Sequence, residues 1–204
     1  MTFPIRALAP AVALLAAPAT PAIADDVAWT PHTIGSLSVS LPKGGGWTTQ
    51  QSSDGKWQSL RIAHDADGNR VSALLIGVAP HPLPPQFQDW LPAEIATDYL
   101  RWEVENMQRS GVDQGEYTLS NVRAIETRRG DQPVFVLHNE KTHADTPDTS
   151  VTFETQDLYL VFLPDFPETL TFYKIFLSAV CFAPDCGFED LDLAVLDPVI
   201  DGIA

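Results

Sequence analysis

Leu170-Thr-Phe-Tyr-Lys-Ile-Phe-Leu-Ser-Ala-Val-Cys-Phe182 is the stretch that decides the fold. It is apolar on both alternating faces, with Phe172 and Phe176 on one and Tyr173, Ile175 and Leu177 on the other. A strand with one wet face alternates apolar with polar residues, so this composition predicts a central strand covered on each side. The run is far shorter than the ~20 apolar residues a membrane-spanning helix requires.

Strand patterns precede it in Ser120 to Thr127, Pro133 to His138, Val151 to Glu154 and Leu158 to Leu163, separated by Arg-Gly-Asp and by the polar stretch Lys141 to Thr149. Nearer the N-terminus, Leu37-Ser-Val39-Ser-Leu41 alternates strictly and stops at Pro42 and Gly44-Gly45-Gly46. Trp57 to Ile62 and Val71 to Val78 flank His64-Asp65-Ala66-Asp67-Gly68-Asn69-Arg70, whose Asp-Gly-Asn content suits a hairpin turn. Together these three segments predict an antiparallel meander. Ala79 to Pro85 carries four prolines, each without a ladder donor, and is expected to be a surface crossing.

From Asp89 the period becomes helical. Pro92 falls in the tolerated first turn, Leu91, Ile95, Tyr99, Trp102 and Asn106 form one stripe, and Ser110-Gly111 ends the helix. Arg101 and Glu105 are spaced to pair across one turn on the wet face. Phe188 to Ile203 reads as short helical turns presenting Leu191, Val195, Val199 and Ile203. The expected fold is α+β: an antiparallel sheet with one long inserted helix and a C-terminal helix, in a single-domain sandwich.

That order resembles the Mog1/PsbP-like superfamily, on Leu37-x-Val39-x-Leu41-Pro42 followed by Trp47, the hairpin before the long helix, and the tail Leu196-Asp197-Pro198-Val199-Ile200-Asp201-x-Ile203. The superfamily includes thylakoid extrinsic proteins of photosystem II and many exported bacterial domains. The resemblance implies a fold and assigns no functional residue.

Met1 to Arg6, the apolar run Ala7 to Ala17 and the small residues ending Ala22-Ile23-Ala24 make a secretory signal peptide. Residues 1–24 are therefore expected to be a leader and 25–204 a single exported domain, periplasmic or secreted. Cleavage would take the net charge from −15 to −16, since the leader carries Arg6 and no acid. Such a charge repels nucleic acid phosphates and anionic headgroups, which argues against nucleic-acid and membrane-surface roles. The acids are spread along the chain, either as a solvated surface or as a site for cations or basic partners.

Cys181 and Cys186, in Cys-Phe-Ala-Pro-Asp-Cys, suit a structural disulfide in an oxidising compartment. A redox pair would want C-x-x-C. Asp65-x-Asp67-Gly68-Asn69 places three oxygen side chains as calcium loops do, yet Gly68 is fourth and the twelfth position is Ile76, so a hairpin turn accounts for it and calcium is the alternative. Among five histidines the densest grouping is His138-Asn-Glu140-Lys-Thr-His143, readable as surface residues or as a metal or acid/base pair. G-x-S-x-G and a phosphate loop are absent from the sequence. Lys174 interrupts the most apolar strand, either snorkelling or at an edge, or desolvated with a lowered pKa. Trp47, Trp57, Trp90 and Trp102 either pack in the core or form an aromatic platform.

The resulting expectation is a non-catalytic periplasmic accessory or binding protein without a cofactor, taking a protein, peptide or small-molecule partner at a surface around Trp47, Trp57, His138 and His143. No oligomeric state follows from the sequence. The alternatives are a hydrolase whose site assembles in space, with His138 or His143 meeting a carboxylate and a hydroxyl, and a calcium-responsive envelope protein holding its ion at Asp65, Asp67 and Asn69.

Overall fold

A computed structural model describes residues 27–53, 55–129, 132–144, 151–182 and 186–203; the expected leader and the Pro184-Asp185 turn lie outside them. The strands are β1 (Ala28–Ile34), β2 (Leu37–Lys43), β3 (Thr48–Gln51), β4 (Trp57–His64), β5 (Arg70–Pro82), β6 (Tyr117–Arg129), β7 (Gln132–His143), β8 (Phe153–Val161) and β9 (Thr171–Cys181). The helices are α1 (Pro92–Met107), α2 (Phe166–Thr169) and α3 (Asp197–Asp201). One seven-stranded sheet runs β3-β4-β5-β9-β8-β7-β6, every neighbour antiparallel, and β1-β2 form a separate hairpin.

As its composition predicts, β9 lies at the centre. Its odd-numbered side chains Tyr173, Ile175 and Leu177 join a core closed by the β1-β2 hairpin and by the C-terminal residues Leu196, Val199 and Ile200. On the other face Phe172, Leu158, Leu160, Phe135 and Leu137 meet Ile95, Ala96 and Leu100 of α1. The sheet is thus sandwiched between a hairpin layer and a helix layer. Pro92 opens α1, and the Glu94 carboxylate accepts the Leu91 N–H at 2.8 Å, satisfying one donor of the helix start.

Several expectations are corrected. Leu37–Lys43 pairs with Ala28–Ile34 across the Gly35-Ser36 turn, outside the meander, which is β3-β4-β5 instead. Alternation marks a half-buried strand without naming its partner. The strand β3 reads Thr-Thr-Gln-Gln and carries no apolar signal at all. Ala79 to Pro82 continues β5 rather than crossing the surface. The odd residues of β5 exchange hydrogen bonds with β9, as Leu83 N–H to Leu170 O and Phe182 N–H to Val71 O show, so Pro80 and Pro82 face away from β9. On that side β4 pairing has ended at Val78, and their missing donors leave no gap in the ladder.

The two strands expected over 151–163 are one, β8, with Thr155 and Asp157 turned to the hairpin-layer face. The helix ends at Met107 and passes through one π turn, Gln108–Val112. Arg101 pairs with Asp98 rather than Glu105, and Trp102 is 49% exposed, off the buried stripe.

Candidate functional site

Register brings the chemistry of β6, β7 and β8 together on the hairpin-layer face. His138 stands directly opposite Asp157, and Glu140 is two residues further along the same face. In the partner strand β6 the register shifts between Ser120 and Arg123; Asn121 adopts φ 49°, a left-handed conformation that asparagine tolerates. The bulge turns its side chain onto the pair.

His138 Nδ1 lies 2.6 Å from Asp157 Oδ1, and because a carboxylate only accepts, Nδ1 carries the proton. Tyr159 Oη donates to the second Asp157 oxygen at 3.3 Å. On the other side of the ring Nε2 sits 3.4 Å from Asn121 Nδ2 and 3.7 Å from Glu140 Oε1. Asn121 Nδ2 donates to Glu140 Oε1 at 2.8 Å, and Ser120 Oγ donates to Glu140 Oε2 at 3.3 Å. The result is an imidazole held between two carboxylates, with both nearby hydroxyls directed at those carboxylates.

His143 does not belong to this group. It is five residues from His138 in one strand, an odd spacing, and therefore projects from the opposite face of β7. There it joins Lys141 and Glu154: Lys141 Nζ reaches Glu154 Oε2 at 3.2 Å and Gln156 Oε1 at 3.0 Å, Ser178 Oγ donates to Glu154 Oε1 at 3.0 Å, and His143 Nε2 sits 3.5 Å from Glu154 Oε2. Burial pushes the Glu154 carboxyl up, but His143, Lys141 and Ser178 outweigh it and hold the group below the usual carboxylate range. Tyr117 covers this cluster, its ring 5.5 Å from His143 and its hydroxyl donating to Met107 O at 3.0 Å.

The other expected positions disperse. Trp47 is buried in the hairpin-side core, and Trp57 packs against that core with its ring 4.7 Å from His32, so neither forms a platform. Asp65 Oδ1 accepts from the backbone of Asp67 and Asn69, and Oδ2 accepts from Asn69 Nδ2; these bonds hold its carboxyl below the usual carboxylate range. The loop is an Asx-type turn. Cys181 and Cys186 are joined as a disulfide. Lys174 is neither at an edge nor free in solvent: it lies on the central strand, half-buried, and donates to Tyr99 Oη at 2.9 Å.

Asp157, Glu154 and Asn121 went unrecognised as functional partners in the sequence. The signal that finds the first two is strand parity, which sets even and odd positions on opposite faces once the register is known.

No protein-family model and no curated protein sequence matches the chain. In three dimensions it is similar to the solution structure of cyanobacterial PsbP (CyanoP) from Synechocystis, with a TM-score of 0.51 and 12% identity over 87% of this chain and 91% of that one. The likeness establishes a PsbP-like α+β fold and transfers no residue role.

Proposed function

We propose that the chain is exported, loses residues 1–24, and works as a non-catalytic accessory or binding module built on one domain over 25–204. The leader-like N-terminus, the Cys181–Cys186 bond and the PsbP-like fold support that reading. The observation that favours binding over hydrolysis is the state of His138. A nucleophilic triad places a hydroxyl on the imidazole nitrogen opposite the carboxylate. Here that nitrogen faces the Asn121 amide and Glu140, while Ser120 and Tyr159 donate to carboxylates.

Two measurements test it. Intact mass of the protein from its native host should correspond to a chain starting at Asp25; an intact Met1 removes the export reading. Turnover of p-nitrophenyl acetate should match buffer and be unchanged by His138→Ala; a rate that vanishes in that variant would establish the hydrolase instead.

A further inference from the structure

The helix-side face of the sheet is closed at one end and open at the other. Along β9 the odd positions from Tyr173 to Cys181 are fully buried, whereas Lys174, Phe176 and Val180 on the α1 side are only half-buried. Helix α1 packs over β7 and β8 and reaches β9 and β5 through Tyr99, which meets Phe172, Lys174 and His81. Register sets Leu60 of β4 and Leu75 and Gly77 of β5 beside Phe176, and Leu60 is 38% exposed. Gly77 keeps this floor low: a Cβ there would come within 3.6 Å of Phe176 Cβ.

One rim is aromatic and belongs to α1. The Tyr99 ring lies 5.7 Å from that of the exposed Trp102, tilted, and 5.3 Å from that of His81 of β5, edge-on. Lys174 rises from the floor against this rim, its Nζ 5.4 Å from the Tyr99 ring centroid. Its hydrogen bond to Tyr99 uses one of three ammonium donors, and among the described residues it makes no other. The charges facing it are Glu103 on α1, which also bonds the Tyr99 hydroxyl, Lys56 ahead of β4, and His81 on β5. Lys174 brings a cation into this apolar lining, in a chain of net charge −15. Burial disfavours the protonated forms of both Lys174 and His81, a cost that an arriving anion would relieve.

We propose that this trough binds a small amphipathic monocarboxylate, its carboxylate on Lys174 and its apolar body over Leu60, Leu75 and Phe176 beneath Trp102. The proposal rests on the binding-module reading and names its ligand class. An apolar floor with one convergent cation is the composition of a site that selects an apolar body carrying one negative head. A neutral head offers Lys174 no compensating charge, and a cationic head is repelled.

Isothermal titration of the purified protein with dodecanoate tests it. The expected result is saturable one-to-one binding that weakens at least about tenfold in Lys174→Met, with dodecanol and dodecyltrimethylammonium binding at least about tenfold more weakly than dodecanoate. Leu60→Asp, at an exposed position, sets a negative charge in the lining and should weaken dodecanoate to a similar extent, and it decides the matter if Lys174→Met fails to fold by near-ultraviolet circular dichroism. Lys43→Met, at the end of β2, should change nothing. Absence of saturable dodecanoate binding at about 1 mM, equal affinity for dodecanol, or unchanged affinity in the folded Lys174 and Leu60 variants would each overturn it. Those failures leave the binding-module reading standing, because that reading falls only on an uncleaved leader or a His138-dependent turnover.

Discussion

Glu154 shows how single residues divide the labour between the two faces. Its carboxyl is held low by His143, Lys141 and Ser178, so the folded state grips the proton less tightly than the unfolded chain does. The associated stability is fully present above the ordinary carboxylate value of 4.5 and is lost as pH falls through the folded value. Glu154→Gln should therefore cost about 3 kcal/mol at neutral pH, because it leaves the half-buried Lys141 without its anion, and should flatten the fall of melting temperature on acidification. Melts of both proteins at neutral and acid pH read this directly; parallel acid profiles would remove Glu154 from the acid response. At this scale the sequence was partly legible. Lys174 stood out because a charge breaks an apolar run. His138 and His143 looked like one cluster because they are close in the chain, and an extended backbone separates them because their spacing is odd.

Strand and helix identities were read correctly where periodicity was strong, as in β2, β9 and α1, and missed where side chains carry no pattern. Thr48–Gln51 is such a case, and Ala28–Ile34, with Pro31 and His32 inside it, is another. The buried stripe of α1 differs from the expected one by a side chain: Trp102, which the spacing predicts to face inward, is 49% exposed. The β1-β2 hairpin depends on Gly35. Its φ is +62°, and a Cβ there would run into the Tyr173 hydroxyl, which accepts the Ser36 N–H at 2.8 Å. Gly35→Ala thus combines backbone strain with a steric clash against the central strand, and should lower stability by about 2 kcal/mol in urea titration. A neutral outcome would mean that the hairpin does not seat on β9.

The whole molecule is two antiparallel three-stranded ribbons, β3-β4-β5 and β6-β7-β8, joined by β9 between β5 and β8. Sequence reading placed β9 in the middle from its double apolar character, but which ribbons it joins depends on pairings distant along the chain, and these leave no local trace. A chain ending at Leu170 loses the strand common to both cores and should show no cooperative thermal transition by circular dichroism, whereas the complete chain shows one. A sharp transition in the shortened chain would mean that one ribbon is stable by itself.

Synthesis proceeds from the N-terminus, so β9, which latches the ribbons together, leaves the ribosome after all six strands of those ribbons. Until it emerges, the β5 and β8 edges that it covers have no strand between them. The sheet therefore closes only after both ribbons have been made, a consequence of strand order, because its middle strand belongs to neither ribbon.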